Sequence, residues 1–246
     1  MTPALATLWR IARRDLATRI RGLRLLAVCL FLGVATLAAI GSLTSGITAE
    51  LEARGQTILG GDLQLALPQR QASAEEMAAF RLAGTTSATV RMRAMANAPD
   101  GEALLAELKA VDDAYPLYGT MRLASGERRG PPPPGTVWIG ADLASRLGLE
   151  PQSSVKFGEK AFRIDGIIAD EPDRLGEGFT LGPVAIIGID NLPATQLIQP
   201  GSLYESKYRI RLPADADPAA VGKSLTAAFP DAGWDVTDRS NGAPGT

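Results

Sequence analysis

Asp170, Glu171, Asp173 and Glu177 crowd one short stretch of the chain, with Arg174 among them. Paired carboxylates of this kind can share a proton for acid–base work or ligate calcium. The stretch lacks the regular one-residue alternation of a calcium loop, and a cation interrupts it. A solvated turn is therefore the plainer expectation, with a functional site as the alternative. Gly222-Lys223-Ser224 looks like the end of a phosphate-binding loop, but Asp217 stands where the first glycine must fall. The triplet also lies inside a helical pattern and not after a strand. The 246 residues include no histidine, which removes the usual general base, the commonest metal ligand and any Ser-His-Asp triad. A serine–lysine pair using Lys156, Lys160 or Lys207 stays open, with no motif behind it. The single cysteine, Cys29, allows no intramolecular disulfide and no thiol zinc site. The expectation is a protein without catalytic residues, metal or cofactor, and not an enzyme.

What organises the chain is an apolar run. Residues 25–49 carry no charge in a sequence that is 21% charged overall. A bilayer core about 30 Å thick needs about 20 apolar helical residues, so the run is long enough to span as a transmembrane helix. Before it come Arg10, Arg13, Arg14, Arg19, Arg21 and Arg24 against the single acid Asp15. That arginine excess puts the N-terminus in the cytoplasm and the larger remainder outside. A cleaved signal peptide is the rival; the apolar region is long for one and the lead-in is extended. Within residues 1–24, Leu5, Leu8, Trp9, Ala12, Leu16, Ile20 and Leu23 recur at helical spacing, opposite Arg10, Arg13 and Arg14. This stripe suits a basic amphipathic helix lying on anionic lipid, the alternative being a plain stop-transfer flank. Residues 50–61, with Glu50 and Arg54, continue a helical sequence as a stalk, and Gly60-Gly61 supplies its stop, as hinge or fixed cap.

Beyond the stalk, 62–67 alternates as a first strand, and Ser73 with Glu76 has capping-box spacing for a helix closed by Gly84. Residues 86–96 and 104–111 read as a hairpin around Asp100-Gly101. The stretch 125–135, SGERRGPPPPG, reads as a solvated, partly polyproline connector. A strand-rich stretch follows, with strands at 136–139, 155–157, 162–168 and 181–187 and a short helix at 142–147. The first style returns with a strand at 204–212, a helix opened by Asp217-Pro218, and a last strand at 234–237. The predicted fold is an α+β periplasmic domain (62–130 and 202–240) with an inserted β-rich module (131–201), attached to one N-terminal transmembrane helix. Residues 241–246 form a tail. A net charge of −2 with both signs interspersed argues against a nucleic-acid partner.

Residues 8–67, from LWRIARRDL to LGGDLQLAL, resemble the start of FtsX-like permeases of ABC transporters, in particular their YbbP-like branch. Downstream, IGADLASRLGLEPQSSVKFGEKAFRIDGIIADEPD is similar to the periplasmic core domain of the MacB-like group. The resemblance implies a permease subunit in the bacterial inner membrane that pairs with a cytoplasmic ATP-binding subunit and a second permease subunit. It further implies mechanotransmission: motion driven by ATP hydrolysis passes through the stalk to a periplasmic domain acting on a lipid, lipoprotein or hydrophobic compound. Such permeases carry further spans, none of which follows here, so a fragment or a truncated gene product is expected. The alternatives are a membrane-anchored periplasmic binding or sensor domain without an ATPase, and an anchored hydrolase.

Overall fold

The computed structural model describes residues 28–38, 56, 59–173 and 182–239. Trp9, Arg10, Arg13, Arg14, Glu50, Arg54, Arg174 and Glu177 lie outside the described residues. The chain divides into two units, Met1–Leu51 and Glu52–Thr246. In the first, residues 28–38 form a helix, α1, whose side chains are all exposed except the half-buried Ala35. Phe31 and Leu37 are 72% and 73% exposed. Among the described residues no helix is long and apolar enough to cross a membrane.

The second unit opens with β1 (Leu63–Pro68), in which alternation buries Leu63, Leu65 and Leu67 completely. Helix α2 (Ala74–Ala83) starts at a reciprocal cap: the Ser73 hydroxyl accepts from the Glu76 amide, and the Glu76 carboxylate accepts from the Ser73 amide. Strands β2 (Thr85–Asn97) and β3 (Ala103–Val111) follow as a hairpin. Near the C-terminal side come β10 (Tyr204–Arg211), α4 (Pro218–Ala228) and β11 (Asp235–Asp238). Asp217 caps α4 by accepting from the Ala219 amide, and Pro218 occupies the first turn, where no backbone donor is needed.

Strands β11, β1, β10 and β2 lie side by side in that order, each antiparallel to the next. β1 and β2 are therefore parallel with β10 between them, and β10 and β11 are parallel with β1 between them, the split βαβ arrangement made twice. α2 and α4 cover this sheet with Phe80, Tyr208 and Trp234 at the centre, their ring centroids 5.4 and 5.2 Å apart. Gly222 lets α4 approach closely. A Cβ there would lie 3.0 Å from Val236 Cγ1 and 3.3 Å from Leu63 Cδ1. Gly222 of the Gly-Lys-Ser triplet is thus a helix–sheet contact, and Lys223 and Ser224 are exposed.

Between β2 and β10 the chain builds a second layer. It contains β4 (Met121–Leu123), β5 (Gly126–Arg128), β6 (Thr136–Gly140), α3 (Ala141–Arg146), β7 (Ser154–Phe157), β8 (Lys160–Asp170) and β9 (Val184–Gly188). Pairing runs β2-β3-β9-β6-β8-β7, and β7 returns to β2 through Ala96↔Phe157 and Asn97↔Lys156. Six strands therefore close on themselves, with β3·β9 and β6·β8 parallel. Val90, Met92, Val137, Ile139, Phe157 and Ile187 fill the interior. The intervening residues of β6 and β9, Trp138 and Ile186, pack outside this ring with Met121 and Leu123 of β4. The 13-residue β2 belongs to both layers, bonding β10 along Thr85–Met92 and β7 at its far end.

The 125–135 connector is corrected by this arrangement. Gly126–Arg128 is the exposed edge strand β5, hydrogen-bonded to β4, and Pro132 is buried. β4 packs Met121 and Leu123 into the outer cluster and pairs with β8 along one edge and β5 along the other.

Candidate functional site

The acidic stretch after β8 is where expectation and structure part. Glu171 and Asp173 are 7% and 1% exposed, not solvated. Lys109, on the face of β3 opposite the ring interior, is completely buried against them. Its ammonium donates to Glu171 Oε1 at 2.6 Å, to both Asp173 oxygens at 2.9 Å and to the Tyr115 hydroxyl at 3.0 Å. Tyr115 in turn donates to Asp173 Oδ1 at 2.7 Å. Arg209 of β10 completes the set, 3.1 Å from Asp173 Oδ2. Two cations thus meet two carboxylates in a dry setting, and burying such charges is tolerable only when all are paired and hydrogen-bonded.

The electrostatics follow the geometry. Burial alone would push the Asp173 carboxyl up; Lys109, Arg209 and the Tyr115 hydroxyl outweigh it and hold the group well below the usual carboxylate range. Burial pushes the Tyr115 hydroxyl well above its ordinary value. Each charged group of the cluster faces a partner of opposite charge, an arrangement that suits cohesion.

Arg209 also joins the cluster to the chain's entry into the domain. Its Nε donates to the Leu59 carbonyl at 2.8 Å, and its side chain fills the space over Gly60 and Gly61. Gly60 has φ +72°, and a Cβ there would lie 3.0 Å from Arg209 Cδ. Both glycines are buried. The left-handed backbone and the lack of room together explain glycine at position 60.

Next in sequence is Asp62, 2% exposed. Gln56 Nε2 donates to its Oδ1 at 2.7 Å, and Arg239 lies 3.1 Å from the same oxygen. The Tyr118 hydroxyl and the Leu212 amide donate to Oδ2 at 2.8 and 2.9 Å. In the backbone, Arg239 N donates to Asp62 O at 3.0 Å. One carboxylate therefore ties together the segment before β1, the loop after β3, the end of β10 and the chain just past β11. Burial raises this group, and the bonds from Tyr118, Leu212, Gln56 and Arg239 lower it by more. Tyr118 is pushed up to about 12, by burial first and then by its bond to Asp62.

The remaining sequence candidates are dispersed. Lys156 of β7 pairs with Glu159 at 3.3 Å beside the exposed β7–β8 turn, and Lys207 with Glu205 at 3.2 Å. Lys109, Tyr115, Arg209, Asp62, Tyr118 and Arg239 were not singled out in the sequence. A lysine inside the apolar run Leu108–Val111 was the available signal.

Residues 25–228 match the family model described as MacB-like periplasmic core domain. The chain is 26% identical over 186 residues to an uncharacterized ABC transporter permease, YbbP, of Escherichia coli (strain K12). That similarity covers 74% of this chain and 22% of the relative, so the chain spans about a fifth of that protein's length. The extracellular domain of the noncanonic ABC-type transporter YknZ from Gram-positive bacteria is similar in fold, with a TM-score of 0.50 at 9% identity, over 72% of this chain and all of that one. The periplasmic region of MacB from Actinobacillus actinomycetemcomitans aligns with a TM-score of 0.49 at 10% identity, over 75% of this chain and 92% of that one.

Proposed function

Because this chain belongs to the family of MacB-like periplasmic core domains, we propose that it is the membrane-anchored periplasmic portion of an ABC-transporter permease that turns helix motion into work on a periplasmic target. On this reading residues 25–49 span the inner membrane with the N-terminus cytoplasmic. A partner ATP-binding subunit hydrolyses ATP, and a second permease subunit completes the pair. The target is a lipid, lipoprotein or hydrophobic compound, and the chain performs no covalent chemistry itself. The exposed apolar side chains on all sides of α1 support the span, since a helix apolar all round is one that meets lipid or a protein core.

The observation that carries the reading is Asp62. Gln56, ahead of β1, and Arg239, just past β11, both meet on that one carboxylate. A pull or twist arriving on the entering segment thus reaches β1, β10 and β11 at one point. The buried Gly60-Gly61, pressed under Arg209, acts there as a fixed cap and not as a loose hinge.

The test has two arms. In a Cys29→Ala background, Leu82→Cys places a thiol at a position that is 91% exposed. A membrane-impermeant maleimide should label it in intact cells with a permeable outer envelope; labelling only after lysis would overturn the topology. Affinity purification of the full chain from membranes should co-isolate a subunit with a Gly-x-x-x-x-Gly-Lys-Ser/Thr loop, and its consistent absence would defeat the coupling role.

A further inference from the structure

A groove of about 650 Å³ lies on the outer face of β2 and β3, beside the start of β10, within the roughly 300–1,000 Å³ of ordinary ligand pockets. Its apolar wall is aliphatic. Leu105, Leu203 and Pro183 contribute to it, Leu105 and Leu203 being 48% and 75% exposed, while Leu104 borders it with its side chain packed on the ring interior. Exposed leucines facing one concavity are unusual, because isolated apolar side chains are normal on a surface and convergent ones mark a binding face.

The charged groups lining the groove are Arg91, Arg93, Arg146, Glu107 and Glu205, with cations in excess. Glu107 is taken by Arg91, and Glu205 by Lys207. Arg93 and Arg146 are left, both exposed, and no acidic residue pairs with either among the described residues. Two forked cations beside an aliphatic trough match a ligand with one hydrocarbon chain and one anionic head. A peptide would bring backbone amides that need partners, and this wall of leucine and proline side chains gives few.

We propose that the groove binds a single-chain anionic amphiphile, its alkyl chain on Leu105, Leu203 and Pro183 and its carboxylate or phosphate head on Arg93 and Arg146. This deepens the periplasmic role proposed above by giving it a ligand class and a place. It stands or falls separately from the ATPase partner.

The test uses the full chain in phosphatidylcholine nanodiscs and two photoreactive 12-carbon probes, one a carboxylate and one with an uncharged sugar head. The carboxylate probe should cross-link to peptides containing Leu104–Glu107 or Leu203–Glu205. Arg93→Gln with Arg146→Gln should cut that labelling at least five-fold and leave the uncharged probe unchanged. Both arginines are exposed, so an unaltered melting curve shows the variant still folded. Leu105→Asp should reduce both probes. A hexaglutamate peptide, which has the charge without the chain, should not compete. An alkyl phosphate should compete as well as the carboxylate, as the shared head chemistry requires. Equal labelling by the two probes, labelling confined to residues 25–49, effective competition by the peptide, or groove variants that change only self-association would each overturn the proposal. Co-isolation of the ATP-binding subunit is read on the same membranes, so failure of the groove leaves the coupling role standing, and the reverse holds.

Discussion

Asp173 and Asp62 are both buried carboxylates, 1% and 2% exposed, solved in opposite ways. Asp173 sits among full charges, with Lys109 and Arg209 against it and Glu171 on its own side. Among the described residues Asp62 is held mainly by neutral donors, with a partly exposed arginine as its one cation. The first arrangement is all-or-none, since removing a member strands a charge in a dry place. The second degrades gradually, because each remaining donor still satisfies part of the group. Cohesion is therefore concentrated at the ion cluster, and connectivity at Asp62.

The sharpest way to break this contrast is Lys109→Ala, which leaves two acids facing one cation. A loss of about 3–5 kcal/mol is expected, as for other broken buried pairs. Urea unfolding followed by tryptophan fluorescence reads it, with Trp138 and Trp234 reporting on the two layers. A loss under about 1 kcal/mol would mean the cluster is wetter than its geometry indicates.

Acid titration separates the same two sites. Both carboxyls are held below their unfolded values, so each adds stability that is present above about pH 4 and lost as the pH falls through the folded value. Asp112, raised chiefly by burial, has the opposite sign and adds stability that fades as the pH rises through its folded value. The expected profile is level from pH 6 to 8 and declines below about pH 4, with Asp173 giving the larger part. A decline of the same depth in an Asp173→Asn variant would contradict that assignment.

Asp62→Ala should cost about 1–3 kcal/mol, the range for leaving buried donors without an acceptor. It should also loosen the two backbones it joins, seen as faster amide exchange at Arg239. Unchanged exchange there would deny Asp62 its connecting role. Gly60→Ala should cost about 1 kcal/mol or more, from the left-handed backbone together with the contact on Arg209. At the small end, Lys156→Ala removes an exposed pair and should change stability by no more than about 0.5 kcal/mol.

Local chemistry made much of the first layer legible in the sequence. The Ser73–Glu76 cap, the Asp217-Pro218 start and the alternation of β1 and β10 each depend on residues within a few positions of one another. The ring was harder to see. β7 closes onto β2, and β3 pairs with β9, through backbone bonds between distant segments that carry no side-chain signature. The acidic stretch failed for the same reason. Its partners Lys109 and Arg209 lie on strands far away in sequence, and a carboxylate looks solvated until its cation is found. Two stretches that carried the family resemblance, LGGDL and ADEPD, prove to meet across Arg209, which contacts both Gly60 and Asp173. That convergence is spatial, and nothing in their spacing announces it.

The meeting of Asp62 and Arg239 makes everything between them an excursion that begins and finishes at one spot. A domain whose two ends lie together in this way can be inserted into a surface loop of another protein through short linkers.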